Sequence, residues 1–223
     1  MTLTFRTSIR SMKMTAVLIS TAVMVVFSTG FGAPTFAGQA QSDVLAAELR
    51  IVRADLIRLG NGDALAQRHV QGLKMRIAGG LGVLPWLLRQ SGDDAGAERL
   101  RGWNIQTLDG RAERVRLVRQ LDTIIMRHRL DLSRYGVDRV TIAQKREARA
   151  IHETYCAGCH DDAGQGDADM LLPARDLYAM SRESASEDFL ARIINGVKGD
   201  ETLLFSNPLT AQQIAALWAL YRE

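Results

Sequence analysis

Cys156-Ala157-Gly158-Cys159-His160 is a C-x-x-C-H pentapeptide, and it holds the only two cysteines of the chain. The spacing is the attachment signature of a c-type haem. Each thiol adds across one porphyrin vinyl group, and the adjoining His160 gives its imidazole nitrogen to the iron. The two-residue gap puts both sulfurs on one edge of the macrocycle. Two other uses of the motif fit less well. A thioredoxin-type redox pair needs a βαβ setting, and no β-pattern surrounds this one. A zinc site needs further ligands, whereas the chain has no second cysteine pair and only four histidines.

Upstream, the chain opens as an export signal. Arg6, Arg10 and Lys13 form a basic start, and no acidic residue precedes Asp43. An apolar run from Met14 to Phe27 follows, then a small-residue stretch from Gly30 to Gly38. Thr35-Phe36-Ala37 matches what a signal peptidase reads, so residues 1–37 are expected to be a cleaved signal peptide, with Ala40 as a second cleavage point. An uncleaved anchor to the periplasmic face of the inner membrane is the alternative, since the apolar run is near the lower length for spanning a bilayer. Export and haem attachment agree, because bacterial c-type haem is installed outside the cytoplasmic membrane. A periplasmic location is therefore expected. With both thiols committed to thioethers, no disulfide remains to staple the fold.

The formal charge of +3 is carried by the three cations of the leader, so the rest is balanced and nothing calls for a nucleic-acid partner. The balance is segregated. Residues 38–150 hold 20 basic and 13 acidic residues, whereas residues 151–223 hold 5 and 12. Such halves can dock on each other or offer separate faces to partners; a solvated surface is the plain alternative. A hydrophobic content of 47% is ample for one large or two small domains.

Residues 38–135 read as a helical region of unknown role. Asp43 is placed to cap a helix in which Leu45, Leu49, Val52, Leu56 and Leu59 recur every three or four residues. Gly60-Asn61-Gly62 ends it and Asp63 begins the next. Gly79-Gly80 reads as a break and Asp93 to Gly96 as a loop. Arg111 to Leu130 is an amphipathic helix whose arginines (Arg111, Arg114, Arg116, Arg119) read as a solvated face. Trp86 and Trp103 read as packing anchors. His69 and His128 are candidates to face a cofactor, although a lone helical histidine is more often structural. The expectation is an antiparallel helical bundle, in an all-α chain.

After a connection at Asp131 to Thr141, residues 142–223 resemble a small class I cytochrome c domain. A helix leads through Glu147 and Ile151 into the haem motif. Asp161 to Gly166 is similar to the glycine-containing loop that follows the motif in that family. Pro173-Ala174-Arg175-Asp176-Leu177 resembles the segment whose proline carbonyl holds the proximal histidine, so the resemblance implies that Pro173 orients His160. A helix is expected from Ser186 to Asn195. A last one is expected to be capped by Thr210 with Gln213 and to run through Tyr221, packing on the first helix.

The family places an axial methionine in the loop before the last helix. Glu201 to Asn207 contains none. Met180, or Met170, is then a candidate distal iron ligand. Lys198 or a histidine (His152, His128, His69) is a further choice, with His152 poorly placed on the helix that bears the motif. An open iron walled by Leu203, Leu204 and Phe205 stands level with Met180. The expected function is one-electron transfer, through one covalent haem c, to or from a redox protein with a basic docking surface. The alternative is an open-site haem protein that binds or senses a small ligand or performs weak peroxide chemistry. No acid–base pair for catalysis is evident.

Overall fold

Two apolar stripes run along one helix and decide how the chain packs. In α1 (Phe36–Gly60), Leu45, Leu49, Val52, Leu56 and Leu59 form the stripe read from the sequence, and Ala46, Ala47 and Ile51 form a second. A helix apolar on more than one side belongs in an interior. The first stripe packs against α2 (Gln67–Gln90), α3 (Asp94–Leu100) and α4 (Arg111–Ile125), where it meets Leu73, Ile77, Leu84 and Leu121. The second lies in a core with α8 (Ser186–Asn195) and α9 (Ala211–Tyr221), among Phe189, Leu190, Ile194, Leu217 and Tyr221. Residues 34–223 thus form one unit with α1 shared by both cores. This computed structural model describes residues 36–61, 65–161, 172, 174–196 and 207–223, and among them every regular element is helical.

Charge is buried along α1, and each charged group is matched from another element. Asp55 is fully buried and accepts from Arg76 of α2 at 2.5 and 2.6 Å and from Arg192 of α8 at 2.7 Å. Arg50 donates twice to Glu187 of α8, at 2.9 and 2.8 Å, and Glu48 accepts from Asn195 at 2.7 Å. The halves that carry opposite net charge therefore meet along α1 and α8.

Asp43 does not cap α1. The helix starts at Phe36, and Asp43 sits inside it, buried, accepting from Tyr135 Oη at 2.9 Å and from the Arg134 guanidinium. Burial raises its pKa, against the opposing pull of Tyr135 and Arg134. The expected cleavage point after Ala37 falls within the first turn of the same helix. The apolar run Met14–Phe27 lies outside the described residues, as does Asp63. Among the described residues, no helix is long and apolar enough to cross a membrane.

Gly79-Gly80 is not a break either, because α2 passes straight through it. A Cβ on Gly80 would collide with the Val52 methyl and lie 2.9 Å from Glu48 Oε1, so Gly80 is where α2 crosses α1 closely. Asp93 caps α3 by accepting from Gly96 N at 2.8 Å, which makes a helix start of an expected loop. The fourth helix stops at Ile125, short of Leu130. Trp86 is half-exposed on α2 rather than a core anchor. Trp103 is partly buried, donating to Gln120 Oε1 at 2.7 Å beneath the Arg116 guanidinium.

The second core carries the cysteine motif. Thr141 and Gln144 make a capping box at the start of α5 (Ile142–Ile151). The helix continues through a π-helical turn, His152–Cys156, into α6 (Ala157–His160). Asp176 caps α7 (Leu177–Glu183) by accepting from Ala179 N at 2.6 Å. Thr210 and Gln213 form the capping box expected for α9, which lies against α5.

Substituting Gly80→Ala should destabilise the chain by about 1–3 kcal/mol through overpacking against Val52. Gly79→Ala, whose Cβ would meet nothing within 4 Å, should instead add about 0.5–1 kcal/mol from helix propensity. Denaturant midpoints of the two variants check the opposite signs. Asp55→Asn should cost about 3 kcal/mol by the same measurement, since it strips the counter-charge from two arginines.

Candidate cofactor site

The π turn sets the register of the motif. One extra residue in the turn rotates everything that follows relative to α5, and such turns recur at functional sites. It leaves Cys156 partly buried and Cys159 exposed, both as free thiols. Three residues apart on a helical path, the two project from one face. Tyr155 is left 79% exposed immediately beside them.

His160 follows, and its ring is held from behind. Its Nδ1 lies 2.6 Å from the carbonyl oxygen of Arg175. A carbonyl only accepts, so Nδ1 carries the proton and donates. In the neutral form of such a ring the lone pair lies on Nε2, the tautomer required of an imidazole ligand. The acceptor is Arg175, two residues beyond Pro173, which lies outside the described residues. Asp176 caps α7 directly after it, so the carbonyl is fixed by the start of a helix.

Beneath the motif lies an aromatic and polar cluster whose members His152, Asp161 and Tyr221 the sequence offered only in other roles. His152 is buried, with Nδ1 at 3.0 Å from Tyr221 Oη and Nε2 at 3.1 Å from Asp161 Oδ1. Its ring meets Tyr178 and Tyr221 edge-on, with centroids 5.6 and 5.5 Å away. Phe189 closes the cluster against Tyr221 at 5.8 Å. Ser181 Oγ donates to the Tyr221 carbonyl, tying α7 to the end of α9. The Tyr221 hydroxyl also lies close enough to the Cys156 thiol to influence it. Burial pushes the Cys156 thiol up, with Tyr221 pulling the other way. Burial, and then Cys156 beside it, likewise raises the Tyr221 hydroxyl. The i, i+4 spacing of His152 and Cys156 was the available signal for this support.

The other candidates separate. With both ring nitrogens of His152 engaged, that residue is structural. His128 Nε2 lies 2.9 Å from Asp93 Oδ2, in the α3–α4 region. Burial raises the Asp93 pKa, but bonds from His128, Arg127 and the Gly96 amide outweigh it and hold the group at about 2. His69 lines a surface hollow with Arg58 and Arg175. Met180 is buried on α7 in the second core, together with Phe189 and Trp218. The glycine loop after Asp161, Met170, Lys198 and the Leu203 to Phe205 wall lie outside the described residues. Among the described residues, no group of three or more His, Cys, Asp or Glu side chains is placed to hold a metal ion by itself.

Compared with protein-family models, curated proteins and solved structures, the chain matches none.

Tyr221→Phe removes the partner of His152 Nδ1 and should cost about 1–3 kcal/mol, the price of a buried polar atom left unmet. Tyr178→Phe, which keeps the ring contacts, should cost under half as much. Equilibrium unfolding of the two single variants checks the difference.

Proposed function

We propose that this chain is an exported monohaem c-type cytochrome that carries single electrons to or from a redox partner protein. The observation that carries the reading is the His160–Arg175 contact. Among the described residues no hydrogen bond meets the Nε2 of His160, the nitrogen that carries the lone pair when the ring is neutral. The residues present fit a covalently held haem: Cys156 and Cys159 would form the thioethers and His160 would be the proximal ligand. That group, when bound, supplies a reversible one-electron couple at iron.

The protein's own part is to hold and tune. Arg175 fixes the tautomer and rotation of His160 and strengthens it as a donor, which favours the oxidised iron. The cluster of His152, Tyr178, Tyr221 and Phe189 keeps the helix beneath the motif from shifting. Cys159 and Tyr155 are exposed, so the attachment edge faces outward, where a partner can approach. Met180 remains the proposed distal ligand, and an open iron is the alternative. The acidic balance of residues 151–223 suits a partner with a basic docking surface. A periplasmic location follows from the leader and from where such haem is installed.

The pyridine-haemochrome spectrum of protein expressed with a haem-attachment system tests the reading. One covalent haem per chain is expected, retained after acid–acetone extraction. Cys156→Ser and Cys159→Ser should each shift the reduced band, and the double variant should lose covalent haem. A wild-type chain that binds no haem would sink the proposal. In the holoprotein, the weak red band of iron–methionine bonding should vanish in Met180→Ala. A high-spin wild-type spectrum with rapid CO binding would instead select the open-site reading.

A further inference from the structure

Behind His160 lies a hollow of about 310 Å3 lined by Arg58, His69, Ala174, Arg175, Asp176, Ala179 and Glu183. It joins the end of α1 and the start of α2 to the segment that holds the proximal histidine. Its charges are unequally satisfied. Arg175 donates to Glu183 Oε2 at 2.6 Å, and Asp176 is spent on capping α7. The two neighbouring cations, Arg76 and Arg192, are both held by Asp55. Arg58 is different. It is partly buried, and among the described residues no carboxylate pairs with its guanidinium. Burial, and then the nearby Arg175 and Arg76, lower its pKa, and the attraction of Asp55, one turn back on α1, offsets them only in part.

A partly desolvated guanidinium whose nearby carboxylate, Asp55, is already bonded by two other arginines costs free energy unless a further anion comes to it. Arginine's planar fork suits a carboxylate or a phosphate, which it can bind through two parallel hydrogen bonds. The alanines at 174 and 179 leave room in front of it, and His69 offers a further ring nitrogen at the rim. We infer that the Arg58 hollow binds a small oxyanion and that Arg58 is the residue that recognises it. The anion's source is either a propionate of the chain's own haem, which rests on the reading above, or a free anion from solution. In the first case the N-terminal helices tune the redox centre directly, because a cation beside the propionate favours the reduced state.

The test compares wild type, Arg58→Gln and Arg58→Lys, with haem content counted first. Midpoint potential and thermal midpoint are measured in a buffer free of phosphate and again with inorganic phosphate added. If a propionate occupies the hollow, Arg58→Gln lowers the reduction equilibrium by up to about tenfold, or about 59 mV for one electron. Arg58→Lys then restores most of that, and added phosphate changes nothing. If the anion comes from solution, phosphate raises the thermal midpoint of wild type and not of Arg58→Gln, while the phosphate-free potentials agree. Identical potentials together with identical phosphate responses in wild type and Arg58→Gln overturn the inference. Should the chain hold no haem, the function proposed above fails by itself, and the phosphate arm on the haem-free protein still decides this one.

Discussion

The buried carboxylate of Asp55 is the constraint around which the helices are arranged. It is fully enclosed, and it meets guanidinium groups from α2 and α8 at once. An unpaired charge in that position would cost several kcal/mol or more. The two arginines must therefore arrive together, one from the N-terminal helices and one from the C-terminal half. Apolar packing alone would let α8 slide along α1, because hydrophobic contact has no direction. The three-way charge contact removes that freedom. Arg50–Glu187 and Glu48–Asn195 repeat the device further along the same interface, and the register of α8 on α1 is thereby fixed at three points.

That register reaches the cysteine motif through short steps. Phe189 on α8 packs against Tyr221 at the end of α9, and Tyr221 bonds His152 and neighbours Cys156. On the other side, Ser181 ties α7 to the same turn of α9, and the cap of α7 sets the carbonyl on His160. A residue at the base of the cluster therefore acts on the geometry of the motif without touching any ligand. It also explains why a histidine stands one turn before the first cysteine. His152 meets the buried hydroxyl of Tyr221 with one ring nitrogen and the exposed carboxylate of Asp161 with the other, a task that an apolar side chain would not perform there.

Much of the helical pattern was legible because it depends on local chemistry. The Thr210–Gln213 box, the stop at Gly60 and the Ser186–Asn195 helix all follow from neighbours within one turn. The misreadings share a physical cause. Gly79-Gly80 looks like a break when only propensity is weighed, yet the missing side chain at Gly80 serves a contact with Val52, 28 positions away in sequence. Asp43 has the chemistry of a cap, but its partners Tyr135 and Arg134 lie some ninety residues downstream. Arg175 was invisible as the acceptor for His160 because it acts through its backbone, which carries no residue identity. At the motif itself the residue types were readable. The tautomer, the π turn and the aromatic bed were not, since each is a matter of three-dimensional register.

Sharing α1 between two cores bears on what the N-terminal helices are for. A module tethered by a flexible linker would be free to swing, and its surroundings would change as it moved. Here the helix that packs against α8 in the second core is the same helix that packs against α2 and α4, so neither core is complete without it. The electron transfer proposed above would gain from such rigidity. Groups that are already oriented in both oxidation states need little rearrangement when charge changes, for the reason that preorganised dipoles help any step that develops charge. A purely structural role for α2 to α4 would be met by apolar contact alone. The buried Asp55 and the partly desolvated Arg58, one turn apart on α1, instead place an opposed pair of charges where this scaffold meets the segment holding His160.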